Sequence, residues 1–448
     1  MKQLKERASE LVEVARNAGA DDAIVEVIDG TTNQIRFSSF KIDSSNWWRE
    51  RNAVAFVAVG KRTMSTDIRD LSDARRQVEA LVGLAKRSPE NKEYAGIASG
   101  RFKYKRSRVD PKLASIRDPS RYVHDAIAGS ESHPTTDCGG TMFVRRSSVG
   151  IASSGGALAD DGHASIDLSV RAFTQPEASG HAVCLASRLS ALKARETGER
   201  AGDLAMRARN PVQGEEGKFD LVIEPLCLGN LMNPTSGMLG ALDVEIGASM
   251  FAKKVGKKVA SDIVTIADDP TMSSMSQRAF DHEGMPTRRN VVIKNGVLKT
   301  YLHNTSTAKR FKTRSTASAG PLIPTTFSMA AQPMPFHIDL EPGDLKVEEM
   351  LADTKSGIYL NHTWYTRFQN SMTGDFSTIP RDAVLKIENG EIVGAIKNIR
   401  ISDNLLNFWK KVDAISRKQE EVYWWDEAMP PSHLPSVKVR GMNITRSS

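Results

Sequence analysis

The sequence predicts an α+β protein of two or three domains, and three observations lead there. At 448 residues the chain exceeds what one ordinary core organises. Helical spacing of apolar residues is confined to a few segments, most of them before residue 210. From residue 218 onward, short β-branched and apolar runs between turn signals dominate. A composition of 40% hydrophobic and 26% charged residues is that of a globular chain, which excludes disordered and fibrous classes.

In order along the chain, Leu4, Ala8, Leu11 and Ala15 recur at helical spacing, and Ala18-Gly19 supplies a stop. Residues 23–28, 34–38 and 53–59 read as strands, with a turn at Asp29-Gly30. Leu71, Ala74, Val78, Leu81, Val82 and Ala85 form a second amphipathic helix ending near Ser88-Pro89. These elements make an N-terminal α+β domain over 1–90. Residues 88–118 are polar and irregular and read as a linker. A helix over 118–130, strands at 141–146, 148–153, 164–173 and 181–187, and a helix over 194–209 define a central antiparallel-sheet and helix domain at 110–210. The stretch 210–217 (NPVQGEEG) combines helix punctuation with a shift in composition and marks the boundary of a third domain, 217–445.

In that last part, 219–224, 262–267, 291–294, 357–361, 383–388 and 392–400 are the strand candidates. Asn295-Gly296 and Asn389-Gly390 signal hairpins, because Asn-Gly suits the positive φ angles of a tight turn. No repeat marks a solenoid.

No apolar run reaches the roughly 20 residues needed to span a bilayer, and 1–7 (MKQLKER) is no secretory leader, so a cytoplasmic location is expected. Cys138, Cys184 and Cys227 are too scattered for a disulfide framework and read as buried free thiols. The net charge of +7 is modest. Its densest clusters, 101–108 (RFKYKRSR) and 309–314 (KRFKTR), lack a nucleic-acid motif and read as a solvated basic face. Neither a nucleic-acid nor a membrane partner is expected.

The second half carries an ordered series of motifs: 230–243 (NLMNPTSGMLGALD), 256–270 (GKKVASDIVTIADDP), 281–287 (DHEGMPT), 292–308 (VIKNGVLKTYLHNTSTA), 315–319 (STASA), 373–377 (TGDFS) and 386–392 (KIENGEI). The series resembles the TldD/PmbA family of peptidase subunits. The resemblance implies a barrel-like C-terminal domain behind an N-terminal α/β portion. Catalytic members of that family carry His-Glu-x-x-x-His on a helix and a thiolate near the C-terminus. Here Asn233 and Pro234 stand for the His-Glu pair and Met238 for the second His, the last cysteine is Cys227, and 423–448 contains none. The resemblance therefore points to the non-catalytic TldE/PmbA-like subunit, with zinc in a TldD-like partner and unfolded peptides as substrate.

The residues by themselves agree with a structural role. Asn233 suits an N-cap and Pro234 the first helical position, while Met238, Leu242 and Ile246 fall at i, i+4 and i+8 as a packed stripe. His282-Glu283 is followed by Gly284 and Pro286, which disfavour the helix a zinc-protease motif needs, and reads as a turn. His163, His181, His303 and His362 stand alone in the sequence. Gly-x-Ser-x-Gly and phosphate loops are missing, 153–156 (SSGG) reads as a turn between strands, and TGDFS reads as a turn with Gly374 at unusual φ, capped by Asp375 and anchored by Phe376. No catalytic, cofactor-binding or metal residue is expected in this chain. Two other readings stay open at this level: an independent hydrolase with unrecognised catalytic residues, and a homo-oligomeric binding protein for peptides or a small ligand.

Overall fold

The computed structural model describes residues 4–322, 331–425 and 427–446. Helix α1 (Leu4–Asn17) turns Ala8, Leu11, Val12 and Ala15 inward, the stripe its spacing predicts. Strands β1 (Asp22–Ser38) and β2 (Lys41–Val59) form a long hairpin turned by Ser39 and Phe40, both at positive φ. Strand β3 (Arg62–Ile68) and helix α2 (Ala74–Ala85) follow. After the short α3 (Pro111–Ala114) come α4 (Ser120–Glu131), β4 (Asp137–Ser153), β5 (Leu158–Thr174), β6 (Ala178–Ala186) and α5 (Ala194–Arg207).

All six strands share one antiparallel sheet in the order β3-β2-β1-β4-β5-β6. The strands of 1–90 and 110–210 thus lie in a single layer, joined where β1 pairs with β4. Two expected breaks are absent. Asp29-Gly30 is no turn but the middle of β1, where Gly30 opposes Ser147 so closely that a Cβ would sit 3.2 Å from the Arg146 carbonyl. Likewise 141–146 and 148–153 are one strand. The glycine reflects close backbone approach, which sequence alone does not separate from a turn. The segment expected as a linker is a strap. Tyr94, Ile97 and Ala98 are buried, the Tyr94 hydroxyl donates to Asp22 at 2.6 Å, and the Tyr104 hydroxyl donates to the Gly284 carbonyl at 2.7 Å. Lys309 and Arg310, read as part of a solvated face, are tied down, Lys309 to the Ala95 carbonyl and Arg310 to Glu245.

The second half contains β7 (Val212–Gln213), β8 (Gly217–Ile223), α6 (Pro225–Gly237), α7 (Ala241–Glu245), β9 (Ile266–Asp268), β10 (Asn290–Lys294), β11 (Val297–Leu298), α8 (Thr305–Arg310) and β12 (Ile338–Leu340). It continues through α9 (Val347–Ala352), β13 (Ser356–Asn370), β14 (Asp375–Glu388), β15 (Glu391–Lys397), β16 (Ile399–Asn404), α10 (Leu405–Lys410), β17 (Val412–Trp424) and β18 (Ala428–Arg446). The strand expected at 262–267 starts only at Ile266. Both Asn-Gly hairpins form, with Asn295, Gly296, Asn389 and Gly390 at positive φ. The pairings β18–β8, β8–β13, β13–β14, β14–β16 and β16–β18 close a ring, so this half holds a small barrel. The largest core packs α6 and α10 against it, with Phe251, Phe376, Phe408 and Trp409 fully buried. Among the described residues no helix is long and apolar enough to cross a membrane.

Candidate functional site

Helix α6 runs along the barrel, packed against β13, β17 and β18. It begins at Pro225 behind Glu224, nine residues before the proline expected to open it. Asn233 and Pro234 therefore lie in its last turns, and neither caps nor starts it. The reason is burial: Leu226, Cys227, Leu228, Leu231 and Met232 leave no polar face, so no amphipathic stripe announces the helix. The Asn233 amide donates to the Glu427 carbonyl at 3.1 Å. Met238 follows the last helical residue and is buried in the main core. Its expected stripe fails at Ile246, which lies beyond α7 and is 58% exposed. The chain breaks at Gly240, where a Cβ would sit 2.7 Å from the Pro333 carbonyl.

The motifs gather around this break. Ala241 donates to the Leu302 carbonyl and Leu302 to the Leu239 carbonyl, each at 2.9 Å, which seats the segment 292–308 beside the end of α6. Asn304 caps α8 through Thr307, and Thr316 closes 315–319 back onto His303 at 2.6 Å. His282-Glu283 forms the expected turn, with Gly284 at φ 82°. His282 reaches Glu26 of β1 at 2.8 Å, and Glu283 accepts from the Thr305 N–H and hydroxyl. Asp281 accepts from the N–H groups of Glu283, Met285 and Ala319 at 2.9–3.1 Å. Burial pushes both carboxyls up, with the Asp281 charge adding to the shift of Glu283. TGDFS is the expected turn: Gly374 has φ 84°, Asp375 accepts from Asn404 and Thr373, and Phe376 is buried.

At the other end of α6 the structure brings together residues that look solitary in the sequence. His181 of β6 and His362 of β13 are both buried, their rings 4.8 Å apart and edge-on, with Trp424 5.0 and 4.7 Å from them. His362 Nδ1 lies 3.0 Å from Asp382, which also accepts from Ser179 at 2.8 Å and meets Arg171 at 3.1 Å. His181 Nε2 bonds Ser169 at 2.9 Å, and its main chain exchanges two bonds with the Asn361 amide. Asn361 leads to Glu224 at 2.7 Å, and Glu224 to Tyr359 and Arg200. Burial alone raises the Asp382 carboxyl, yet the His362 hydrogen bond and the Arg171 charge outweigh it and hold the group well below the usual range. Burial, followed by the neighbouring charges, keeps His181 far below its ordinary value, and burial lowers His362 as well. Arg200, Glu224, Tyr359 and Glu420 line an adjoining cleft of about 500 Å³ at the start of α6. The only cue to this network in the sequence is the polar run Asn361-His362-Thr363 directly after the apolar 357–360.

Comparison with known proteins adds the decisive observation. The profile of the PmbA/TldA metallopeptidase C-terminal domain matches residues 216–446, just over half of the chain. The chain belongs to the PmbA/TldD family. A metalloprotease of Methanothermobacter thermautotrophicus is 30% identical over 223 residues, 49% of this chain and 47% of that protein. The zinc metalloprotease TldD homolog of Saccharolobus solfataricus is 24% identical over 220 residues, 48% of each. The chain spans about half the length of these curated relatives. TldE from Thermococcus kodakarensis shares the fold, with a TM-score of 0.86 over 98% of this chain and 100% of its own, at 18% identity.

Do the family's ligand positions fit a zinc ion here? An amide held by a main-chain carbonyl, a proline and a buried thioether do not supply the donors that zinc takes. Cys227 lies at the far end of α6 and is wholly buried, which pushes its thiol up to about 12. Among the described residues, the group with metal-binding residue types is His181, His362 and Asp382. Its carboxylate is already occupied by Arg171, Ser179 and His362, and the guanidinium supplies the counter-charge that a metal would bring.

Proposed function

We propose that this chain is the metal-free, TldE/PmbA-like subunit of a cytoplasmic metallopeptidase that acts on unfolded peptides or peptide precursors. A TldD-like partner supplies the zinc. One observation carries the reading: the three positions aligned with the metal motif are used structurally. Asn233 ties α6 to Glu427, Pro234 sits in the last turns, and Met238 fills the core. Each replacement is engaged in the place it occupies, which supports a structural use of this end of the helix. In this reading the chain shapes and closes a chamber around substrate, and chemistry belongs to the partner.

The test is purification from the native host under gentle conditions. A homologue with an intact His-Glu-x-x-x-His helix should come down in a fixed ratio, and the complex, not this chain alone, should cleave an unfolded substrate in a chelator-sensitive manner. Chelator-insensitive cleavage by the purified chain would favour the independent-hydrolase reading.

A further inference from the structure

The basic segment 101–108 (RFKYKRSR), expected as part of a solvated face, lies over a pocket. Tyr104 is pinned to the turn 281–287 by its hydroxyl bond to Gly284, and its ring packs edge-on against Phe280 at 5.9 Å. Ser107 donates its N–H and its hydroxyl to Asp161 of β5 at 2.8 and 2.7 Å. Beside and between these two pins, Lys103, Lys105 and Arg106 line a pocket of about 190 Å³ that they share with Thr271, Arg278 and Thr287. Among the described residues no Asp or Glu lines it.

The hydroxyl protons of this pocket are already engaged. Thr271 donates to Asp269 at 2.6 Å and Thr287 to the Arg278 carbonyl at 2.5 Å. Arg278 is fixed by His282 at 3.0 Å and by the Phe336 ring 4.0 Å from its guanidinium carbon, while its Nε meets no acceptor. Glu26, Asp161, Asp268 and Asp281 offset the Arg278 charge, and none of the four lines the pocket. The surplus positive charge therefore comes from the strap. Arg106 shares Asp160 with Lys5 and holds it only at 3.7 Å. Lys103 and Lys105 are exposed and have no ion-pair partner among the described residues. Cations gathered at a small concave site without counter-ions focus a positive potential into it.

We propose that this pocket binds a phosphoryl group, as free phosphate or as the terminal group of a small molecule, with Lys103, Lys105 and Arg106 as its ligands. Its volume is below the roughly 300 Å³ at which pockets for drug-sized ligands begin, so the occupant is a small anion or one end of a longer molecule. Charge selects among small anions. A carboxylate would offset only one of the surplus cations. A phosphate carries about two charges and at least three strong acceptor oxygens, enough to meet both lysines and the guanidinium together. The lysines act as point charges, and Arg106 adds a planar fork of donors. This site is independent of the peptidase reading.

Calorimetric titration of the purified chain with inorganic phosphate, at an ionic strength held constant with sodium chloride, tests it. Saturable binding at one site per chain is expected. Lys103→Ala/Lys105→Ala should weaken it by about tenfold or more, since two charge-assisted contacts are lost. Arg101→Ala/Arg108→Ala removes the same charge from the same strap outside the pocket, and its affinity should stay within about twofold of wild type. All four positions are exposed, and equal melting temperatures without phosphate certify the fold of each variant. In the wild type, phosphate should also slow acetylation of Lys103 and Lys105 but not of the exposed Lys112, a readout that needs no variant. Glycerol 3-phosphate that binds as well as inorganic phosphate supports a terminal phosphoryl group as the ligand. Binding of inorganic phosphate alone supports the free ion. No saturable phosphate binding by the wild type, equal weakening in the two double variants, or acetate binding as tightly as phosphate overturns the proposal.

Discussion

Asp382 shows how a single residue holds two layers together. It belongs to β14, while its partners Arg171 and Ser179 come from β5 and β6 of the N-terminal sheet. Asp382→Asn keeps the shape and tolerates the local φ of 62°, but leaves Arg171 without its counter-charge. A loss of about 3–5 kcal/mol is expected for breaking a buried pair from one side, read as a lower urea midpoint. A midpoint equal to wild type would show that the pair is not a weld. The histidines add a pH signature. Both have folded values below the ordinary one, so the unfolded chain binds protons first as pH falls from about 6.5, and stability drops with it. The depressed Asp382 extends the loss to lower pH, in the same direction. His362→Asn retains a donor toward Asp382 without the titration, so its urea midpoint should change less between pH 7.5 and 5.5 than that of wild type (about two pH units, spanning the usual histidine value). Equal slopes in the two proteins would contradict this account.

At the scale of elements, amphipathic helices and hairpins were legible because each leaves a local trace. α1, α2, α4 and α5 have one buried face, and the two Asn-Gly turns carry their own geometry. Helix α6 was legible as a helix but not in its bounds, because burial on all sides erases periodicity and two prolines compete as its start. The His181–His362–Asp382 network left a single cue, the polar run after 357–360, since its members come from three strands of two sheets and meet only through long-range pairing. The shortened stripe at the end of α6 revises what Met238 is worth. With Ile246 exposed, Met238→Ala should cost about 2 kcal/mol, the low end for a buried methionine. A denaturation midpoint unchanged from wild type would place this end of the helix outside the core. Restoring the motif by Asn233→His, Pro234→Glu and Met238→His should not create a peptidase. Position 238 follows the last residue of α6 and is packed in the core, and a third ligand is still missing. Tight zinc binding together with cleavage of an unfolded substrate by that triple variant would mean that the third donor comes from elsewhere in this chain.

Across the whole molecule, the N-terminal sheet and the barrel are joined at two places that flank α6. One is the buried ionic network at its start. The other lies near its end, where Tyr104 and Glu26 reach the turn 281–287 and Lys309 holds the strap. The turn 281–287 thus serves as part of the joint between layers, and on the proposed reading the helix between the two joints is filled where a metal-bearing subunit would keep ligands. Metal content tests that central claim most directly. Elemental analysis of the isolated chain after extensive dialysis should find zinc far below one equivalent, whereas one tightly held zinc per chain would contradict the account of a scaffold without a metal site.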